Sequence, residues 1–247
     1  MHLYGLLGKT LSHSFSKKYF THKFETLGLN DHAFELFEIP RIEDFPNLVS
    51  SNLLYLCGMN VTIPYKVEVI QYLQELDNTA IITGAVNVIK VLPNSTLKGY
   101  NTDYYGFKQS LLNTLAANDM PIPPKALILG TGGASKAVIA ALNDLNVSHY
   151  SVSRDANKTS YTYNTLTDIS EHKLIINCTP LGTYPKVEDC PAIPYSLVTS
   201  QHLLFDLVYN PEVTAFMKNG LKFGAKVVNG LEMLHLQAEK AWEIWQS

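Results

Sequence analysis

The chain has 247 residues, of which 46% are hydrophobic and 17% charged, with a formal net charge of −3 at pH 7. That length suits one large α/β domain or two small ones, and the weakly acidic balance excludes the basic face of a nucleic-acid binder. No apolar run is long enough to cross a bilayer. Three widely spaced cysteines, Cys57, Cys178 and Cys190, make neither a metal-ligand pattern nor a disulfide framework. The first eight residues lack the basic start and long apolar stretch of a signal peptide. A protein of a reducing cytoplasm is expected.

Short apolar runs alternate with amphipathic stretches, the pattern of βαβ units on a mostly parallel sheet. Residues 3–7 are expected to form the first strand and 16–27 a helix, with Phe20, Phe24 and Leu27 at helical spacing and Gly28 to end it. Strands follow at 32–39 and 53–61, then a helix over 65–76 with Pro64 well placed at its start. Residues 85–91 and 96–100, joined by Pro93-Asn94-Ser95, are expected to pair antiparallel. A helix over 104–118 leads into Pro121, Pro123 and Pro124, a stiff boundary. Beyond it a second series begins: strand 126–129, a glycine turn, helix 134–145, strand 150–153, and central strands at 174–176 and 203–208. A last strand at 225–228 precedes a final helix over 231–245. Two α/β domains result, with a seam near 104–124, and the final helix can serve either one.

The glycine turn carries the first chemical signal. Leu127-Ile128-Leu129 runs into Gly130-Thr131-Gly132-Gly133-Ala134-Ser135. Gly130 allows a tight turn, and Gly132 or Gly133 lets backbone N–H groups approach a pyrophosphate at a helix N-terminus. Ser135 stands where the usual fingerprint has Gly or Ala. After the next strand the chain reads Ser153-Arg154-Asp155-Ala156-Asn157-Lys158. Arg154 can stack on adenine and pair with a 2′-phosphate, Lys158 adds charge, and Asp155 pulls toward NAD. A solvated charge cluster is the commoner fate of such residues, but this context favours NADP.

The first series carries a polar constellation. Lys66 ends the run Asn60-Val61-Thr62-Ile63-Pro64-Tyr65-Lys66, just past an apolar strand, where open α/β sheets bind ligands. Ser14 and Ser16 stand before a helix, placed either to hold a carboxylate or simply to cap. Asn87 is a polar residue inside an apolar strand and needs partners if buried. Asp103 follows Asn101-Thr102 and is either a site carboxylate or a helix cap. Together these groups suit a small polyhydroxylated ligand.

The residues resemble the shikimate dehydrogenases. The resemblance rests on Ser14-x-Ser16, the 60–66 run, Gly84-Ala85-Val86-Asn87, and Gly99-Tyr100-Asn101-Thr102-Asp103 with Gly106-Phe107. It continues through 130–137, Asn177-Cys178-Thr179-Pro180-Leu181-Gly182, Asp206-Leu207-Val208-Tyr209-Asn210-Pro211, and Asn229-Gly230-Leu231-Glu232-Met233-Leu234 with Gln237. It implies an open α/β substrate domain over 1–103 and 231–247 and a Rossmann-like domain over 104–230. It also implies reversible reduction of 3-dehydroshikimate to shikimate with NADP(H), no metal, and a monomer or homodimer. Lys66 and Asp103 are then the catalytic pair. Ser14, Ser16, Thr62, Asn87, Asn101, Tyr209 and Gln237 hold the substrate. Gly130, Thr131, Gly132, Gly133, Ala134, Ser153, Arg154, Lys158, Thr179 and Gly230 hold the nucleotide.

Four departures stand out. Lys17 replaces a usual Pro and brings a cation near the carboxylate site. Val88 replaces a usual Thr, and Thr183-Tyr184 a usual Met. Asp155 replaces a usual Thr or Ser, which keeps an NAD-linked quinate/shikimate dehydrogenase open as an alternative. A non-catalytic nucleotide or metabolite sensor is the alternative from another class, and retention of both Lys66 and Asp103 argues against it.

Overall fold

The computed structural model of the chain describes residues 1–11, 14–155, 159 and 161–247. The chain divides into two units, Met1–Thr102 with Ala238–Ser247, and Asp103–Gln237.

The first unit is built on a six-stranded mixed sheet. Its elements are β1 (His2–Gly8), α1 (Phe15–Thr26), β2 (His32–Glu38), α2 (Phe45–Asn52), β3 (Leu56–Val61), β4 (Glu75–Leu76), α3 (Asn78–Thr83), β5 (Val88–Val91) and β6 (Leu97–Tyr100). The strand order is β2-β1-β3-β5-β6-β4. β1 pairs parallel with β2 and β3, while β5 runs antiparallel to β3 and also to β6, the latter as their short connection favours. One face of the sheet buries Leu7, Phe45, Met59, Val69 and Ile89. The other buries Phe20, Phe24, Phe34 and Val88 against Ala238, Ala241 and Trp245. Each such side chain removed from water contributes about 1.5–3 kcal/mol. Leu27, which shares the spacing of Phe20 and Phe24, instead caps α1 and is exposed.

Two local expectations fail here. The helix foreseen over 65–76 is a run of turns, a 3-10 segment at Glu68–Tyr72, and then β4, which pairs with β6. The Lys66 carbonyl accepts from Val86 N–H at 2.7 Å and so is engaged outside its own segment. The helices α2 and α3 were not foreseen. α3 carries ordinary signals all the same: Asp77 accepts from Ala80 N–H at 3.0 Å as its N-cap, and Gly84 closes it at φ 58°.

The second unit is a doubly wound parallel sheet. Its elements are α4 (Thr102–Ala117), which begins one residue before the unit, β7 (Lys125–Leu129), α5 (Gly133–Asp144), β8 (Ser148–Ser153), β9 (Tyr161–Thr162), β10 (Leu174–Asn177), β11 (Leu203–Asp206), α6 (Ala215–Leu221), β12 (Lys226–Val228) and α7 (Leu231–Gln246). The order β12-β11-β10-β7-β8-β9 is parallel throughout. Both faces are covered, which is why β7, β10 and β11 read as unbroken apolar runs. Within this unit Gly106 of α4 lies so close to α7 that a Cβ there would sit 2.7 Å from the Met233 carbonyl. Glu232 fastens the same crossing by accepting from Ser110 and Asn113. The residues of α7 from Ala238 onward belong to the first unit. Among the described residues, no helix is long and apolar enough to cross a membrane.

Candidate active site

The first unit presents polar side chains at the C-terminal ends of β1 and β3. Thr62 follows β3 directly, and its N–H donates to the Leu7 carbonyl at 2.9 Å. Gly8 opposite it is required, because a Cβ there would meet Thr62 Cγ2 at 2.8 Å and Leu11 at 2.6 Å. The turn that carries Lys66 is clamped. Tyr65 is buried with its hydroxyl donating to the Ile39 carbonyl at 2.7 Å, and its N–H donates to the Thr62 carbonyl at 3.0 Å. A fixed backbone thus carries the half-buried Lys66 side chain.

The amides are buried and tied down. Asn87 accepts from Thr102 N–H at 2.7 Å and donates through Nδ2 to the Thr102 hydroxyl at 3.0 Å. Asn101 donates through Nδ2 to the Ala85 carbonyl at 2.9 Å, and its own N–H donates to Thr79 Oγ1 at 2.8 Å. Burying an amide without such bonds costs several kcal/mol, of order 1–3 in proteins. Asn87 and Asn101 therefore hold this end of the sheet together whatever else they touch. Asn60 adds a feature the motif reading passed over: it is 5% exposed, and its Oδ1 has no hydrogen-bond partner.

Ser14 caps α1 by accepting from Lys17 N–H at 3.2 Å, and Ser16 lies in the first turn. The capping alternative raised for this segment is therefore realised by Ser14. The extra cation expected at the carboxylate site is engaged elsewhere, since Lys17 Nζ pairs with Glu35 Oε2 at 2.8 Å. Asp103 is nearly buried in the first turn of α4 and opens the second unit. Gln237, also nearly buried, donates to the Leu234 carbonyl at 2.8 Å within α7.

The second unit presents a groove of about 480 Å³ lined by Gly130, Thr131, Gly132, Ser153, Arg154, Tyr163, Cys178, Thr179, Pro180 and Leu181. Strand order explains its place. From β7 the chain winds outward through β8 and β9, then returns to the other side of β7 for β10, β11 and β12. Open parallel sheets bind ligands outside the carboxyl ends of the strands where the order reverses. Gly130 at φ 102° turns the chain out of β7, and a Cβ on it would press on Thr179 Cγ2 at 2.9 Å. A Cβ on Gly132 or Gly133 would meet nothing within 4 Å, so space is left beside the α5 N-terminus. Gly133 and Ala134 form its first turn. Ser135 keeps the fit that the fingerprint requires: it is buried, and its hydroxyl donates to the Gly132 carbonyl at 2.6 Å.

Sequence reasoning found six of the groove residues and missed Tyr163, Cys178, Pro180 and Leu181. Three of these lie in the quoted 177–182 run, and their position after β10 was the available signal. Tyr163 had none. It lines the groove together with Arg154, and its hydroxyl is buried without a partner. An open glycine cradle and an exposed guanidinium fit a phosphorylated nucleotide. Ser153 Oγ accepts from Asp155 N–H at 3.2 Å. Gly230 lies apart from the lining, packed so tightly that a Cβ would sit 2.1 Å from the Leu207 carbonyl. Tyr209 is 39% exposed after β11. Lys158 lies outside the described residues.

A buried network steadies Thr179. Asn177 accepts from its N–H at 3.0 Å and from its hydroxyl at 2.6 Å, and donates to Asp206 Oδ1 at 2.9 Å. Asp206 also accepts from Val208 N–H and the Thr214 hydroxyl. Burial pushes its carboxyl up to about 6, against the pull of these bonds. A second hollow of about 500 Å³ in the first unit is lined by Phe45, Val49, Leu53 and Tyr72, with amides and hydroxyls but no carboxylate, ammonium, guanidinium or imidazole. It lacks the means for the chemistry.

The substrate-binding domain model of shikimate dehydrogenases matches residues 6–89. A shikimate dehydrogenase (NADP(+)) of Clostridium beijerinckii is 43% identical, over all of this chain and 92% of its own length. The chain belongs to the shikimate dehydrogenase family. A shikimate dehydrogenase structure from Peptoclostridium difficile superimposes with a TM-score of 0.82 at 38% identity, covering 100% of this chain and 92% of that one. A shikimate 5-dehydrogenase of Thermus thermophilus, solved with NADP(H) and shikimate, gives 0.85 at 28% identity, covering 99% and 93%. The family's architecture of a substrate domain and a Rossmann-like domain is the one seen here. The matched segment contains Ser14, Ser16, Thr62, Lys66 and Asn87.

Proposed function

We propose that this chain reversibly reduces 3-dehydroshikimate to shikimate with NADPH. One observation carries the reading: full-length identity of 43% to an NADP-linked shikimate dehydrogenase, in a chain that has both the Lys66 turn and the glycine groove. When bound, NADPH supplies the hydride. Lys66 donates a proton to the carbonyl oxygen as negative charge develops there and takes it back in the oxidation. Asp103 is its carboxylate partner.

Ser14 and Ser16 bind the substrate carboxylate. Thr62, Asn87, Asn101 and Gln237 orient the carboxylate and hydroxyls, with Tyr209 bordering them. Gly130, Thr131, Gly132, Gly133 and Ala134 take the pyrophosphate. Ser153, Arg154 and Lys158 take the adenosine phosphate, and Thr179 and Gly230 lie on the nicotinamide side. Residues 1–103 and 231–247 work as the substrate domain and 104–230 as the nucleotide domain. The enzyme acts in the cytoplasm as a monomer or homodimer and binds no nucleic acid, in keeping with its net charge of −3.

The NAD-linked alternative is disfavoured by the NADP(+) relatives, among them a 36% identical shikimate dehydrogenase of Methanococcus vannielii. The test is shikimate-dependent reduction of NADP+ and NAD+ side by side. The expected outcome is a kcat/KM for NADP+ at least about tenfold higher, the worth of one charge-assisted phosphate contact. Binding of shikimate without turnover would overturn the reading in favour of a sensor.

A further inference from the structure

At the N-terminal ends of β1 and β3, the opposite end of the strands from Thr62, lies a cluster that the dehydrogenase reaction does not use. Leu3 pairs with Leu56 but Tyr4 pairs with Gly58, so Cys57 is the extra residue of a bulge between β1 and β3. Its Sγ lies 3.4 Å from His2 Nδ1. His2 Nε2 lies 3.6 Å from Asp31 Oδ2. His32, the cross-strand neighbour of His2, stacks on it with ring centroids 4.6 Å apart and bonds Asp31 Oδ1 through Nδ1 at 2.8 Å. Thr62 follows β3 five residues after Cys57, about 17 Å along the strand.

The arrangement is a line, not a cage. The two nitrogens of His2 face the thiol and the carboxylate separately, and among the described residues no group of His, Cys, Asp and Glu side chains could hold a metal ion. We propose that Cys57, His2 and Asp31 form a second reactive site, a thiol that exchanges with low-molecular-weight disulfides. His2 Nδ1 accepts the thiol proton and Asp31 faces the resulting imidazolium. The thiolate attacks one sulfur of the disulfide, the S–S bond breaks, and a bond to Cys57 Sγ forms. The other sulfur leaves with the electron pair and takes the proton from His2. Cys57 ends oxidised as a mixed disulfide and half of the reagent ends reduced as a thiol.

The surroundings support this. His2 and Asp31 are about half exposed, so a small reagent can reach them. The hydrogen bond from His32 holds the Asp31 carboxyl below the usual carboxylate range, so it is an anion at neutral pH. The titratable groups facing the site are His2 and Tyr4 from β1 and Asp31 and His32 from the start of β2. From α7 the Gln246 amide donates to the Tyr4 hydroxyl at 3.2 Å, and the Trp242 ring lies edge-on to His32. The other thiols differ. Burial pushes the Cys178 thiol far up, and Cys190 accepts from the Asn219 amide.

The experiment treats the whole protein with the neutral disulfide 4,4′-dithiodipyridine, follows thiopyridone release, and locates the adduct by peptide mapping. A free thiol with a pKa of about 8.5 is only about 3% thiolate at pH 7. The first adduct is expected on Cys57, at least about fivefold faster at pH 7 than on N-acetylcysteine. His2→Gln is expected to remove most of that advantage and Asp31→Asn part of it, each checked by circular dichroism. First reaction at Cys178 or Cys190, or a wild-type rate at pH 7 no faster than that of N-acetylcysteine, overturns the proposal. So does a folded His2→Gln that reacts as fast as wild type.

Discussion

The two units prepare the residues proposed to face the ligands in opposite ways. In the first, side chains do the work and are themselves held by hydrogen bonds: Asn87 to Thr102, Asn101 to Ala85, Ser14 to Lys17. In the second, the groove is made by the absence of side chains at Gly132 and Gly133 and by the reversal of strand order beside β7. The lesson is that one substitution should have different consequences in the two places. In the first unit the bonds that hold the fold and the proposed ligand contacts share the same atoms. In the second the cradle can be filled without disturbing the fold.

The largest effect is expected from Lys66→Met, which removes the proposed proton donor. Its kcat should fall by about 10²–10⁴-fold with the circular dichroism spectrum and NADPH affinity unchanged. Turnover within tenfold of wild type would take the chemistry away from the first unit. Asn87→Ala should break the contrast in the other direction by costing stability as well as activity. Loss of the bonds to Thr102 should lower the unfolding free energy by about 1–3 kcal/mol in urea titrations, and a fold as stable as wild type would show that Asn87 serves the ligand alone.

Asp206 tests the support beneath the groove. Its carboxyl is raised from 3.8 to about 6 in the fold, so the folded state holds a proton that the unfolded state has lost across that interval. Stability contributed by this group is therefore present at low pH and declines as pH rises through that window, by on the order of 1–3 kcal/mol. Asp206→Asn should abolish that slope, measured as the wild-type minus variant difference in unfolding free energy between pH 4 and 8. An unchanged slope would mean the network carries no buried ionisation. The smallest effect is expected from Gly132→Ala. Nothing lies within 4 Å of the added Cβ, so Tm should stay within about 2 °C while NADPH binding weakens several-fold, about 1 kcal/mol. A Tm drop without a binding change would place Gly132 in the fold and not in the cradle.

Much of this was legible beforehand. The unbroken apolar runs at β7, β10 and β11 announced a sheet buried on both faces, and the glycine turn between strand and helix was readable in place. Residues 65–76 were misread because Val69, Tyr72 and Leu73 fit a helical spacing as well as they fit the 3-10 segment that formed. α6 escaped notice although Thr214 caps it, accepting from Met217 N–H, because its seven residues are too few to show a period. Tyr163 escaped because no local pattern tells a core tyrosine from one that lines a groove.

By itself the sequence determined the longer strands of both sheets, where the chain would turn at glycine, and which ordered set of motifs it shares with its family; the two-residue strands β4 and β9 were not among them. Those properties depend on neighbours a few residues apart. Tertiary structure alone decided that the groove opens where β10 returns to the far side of β7. It also decided that Lys17 is engaged by Glu35, and that Asn177 steadies Thr179 through Asp206, 29 residues away. Hydrogen-bond partners at such separations are chosen by the order of strands in a sheet, and that order is fixed only when both faces find their cover.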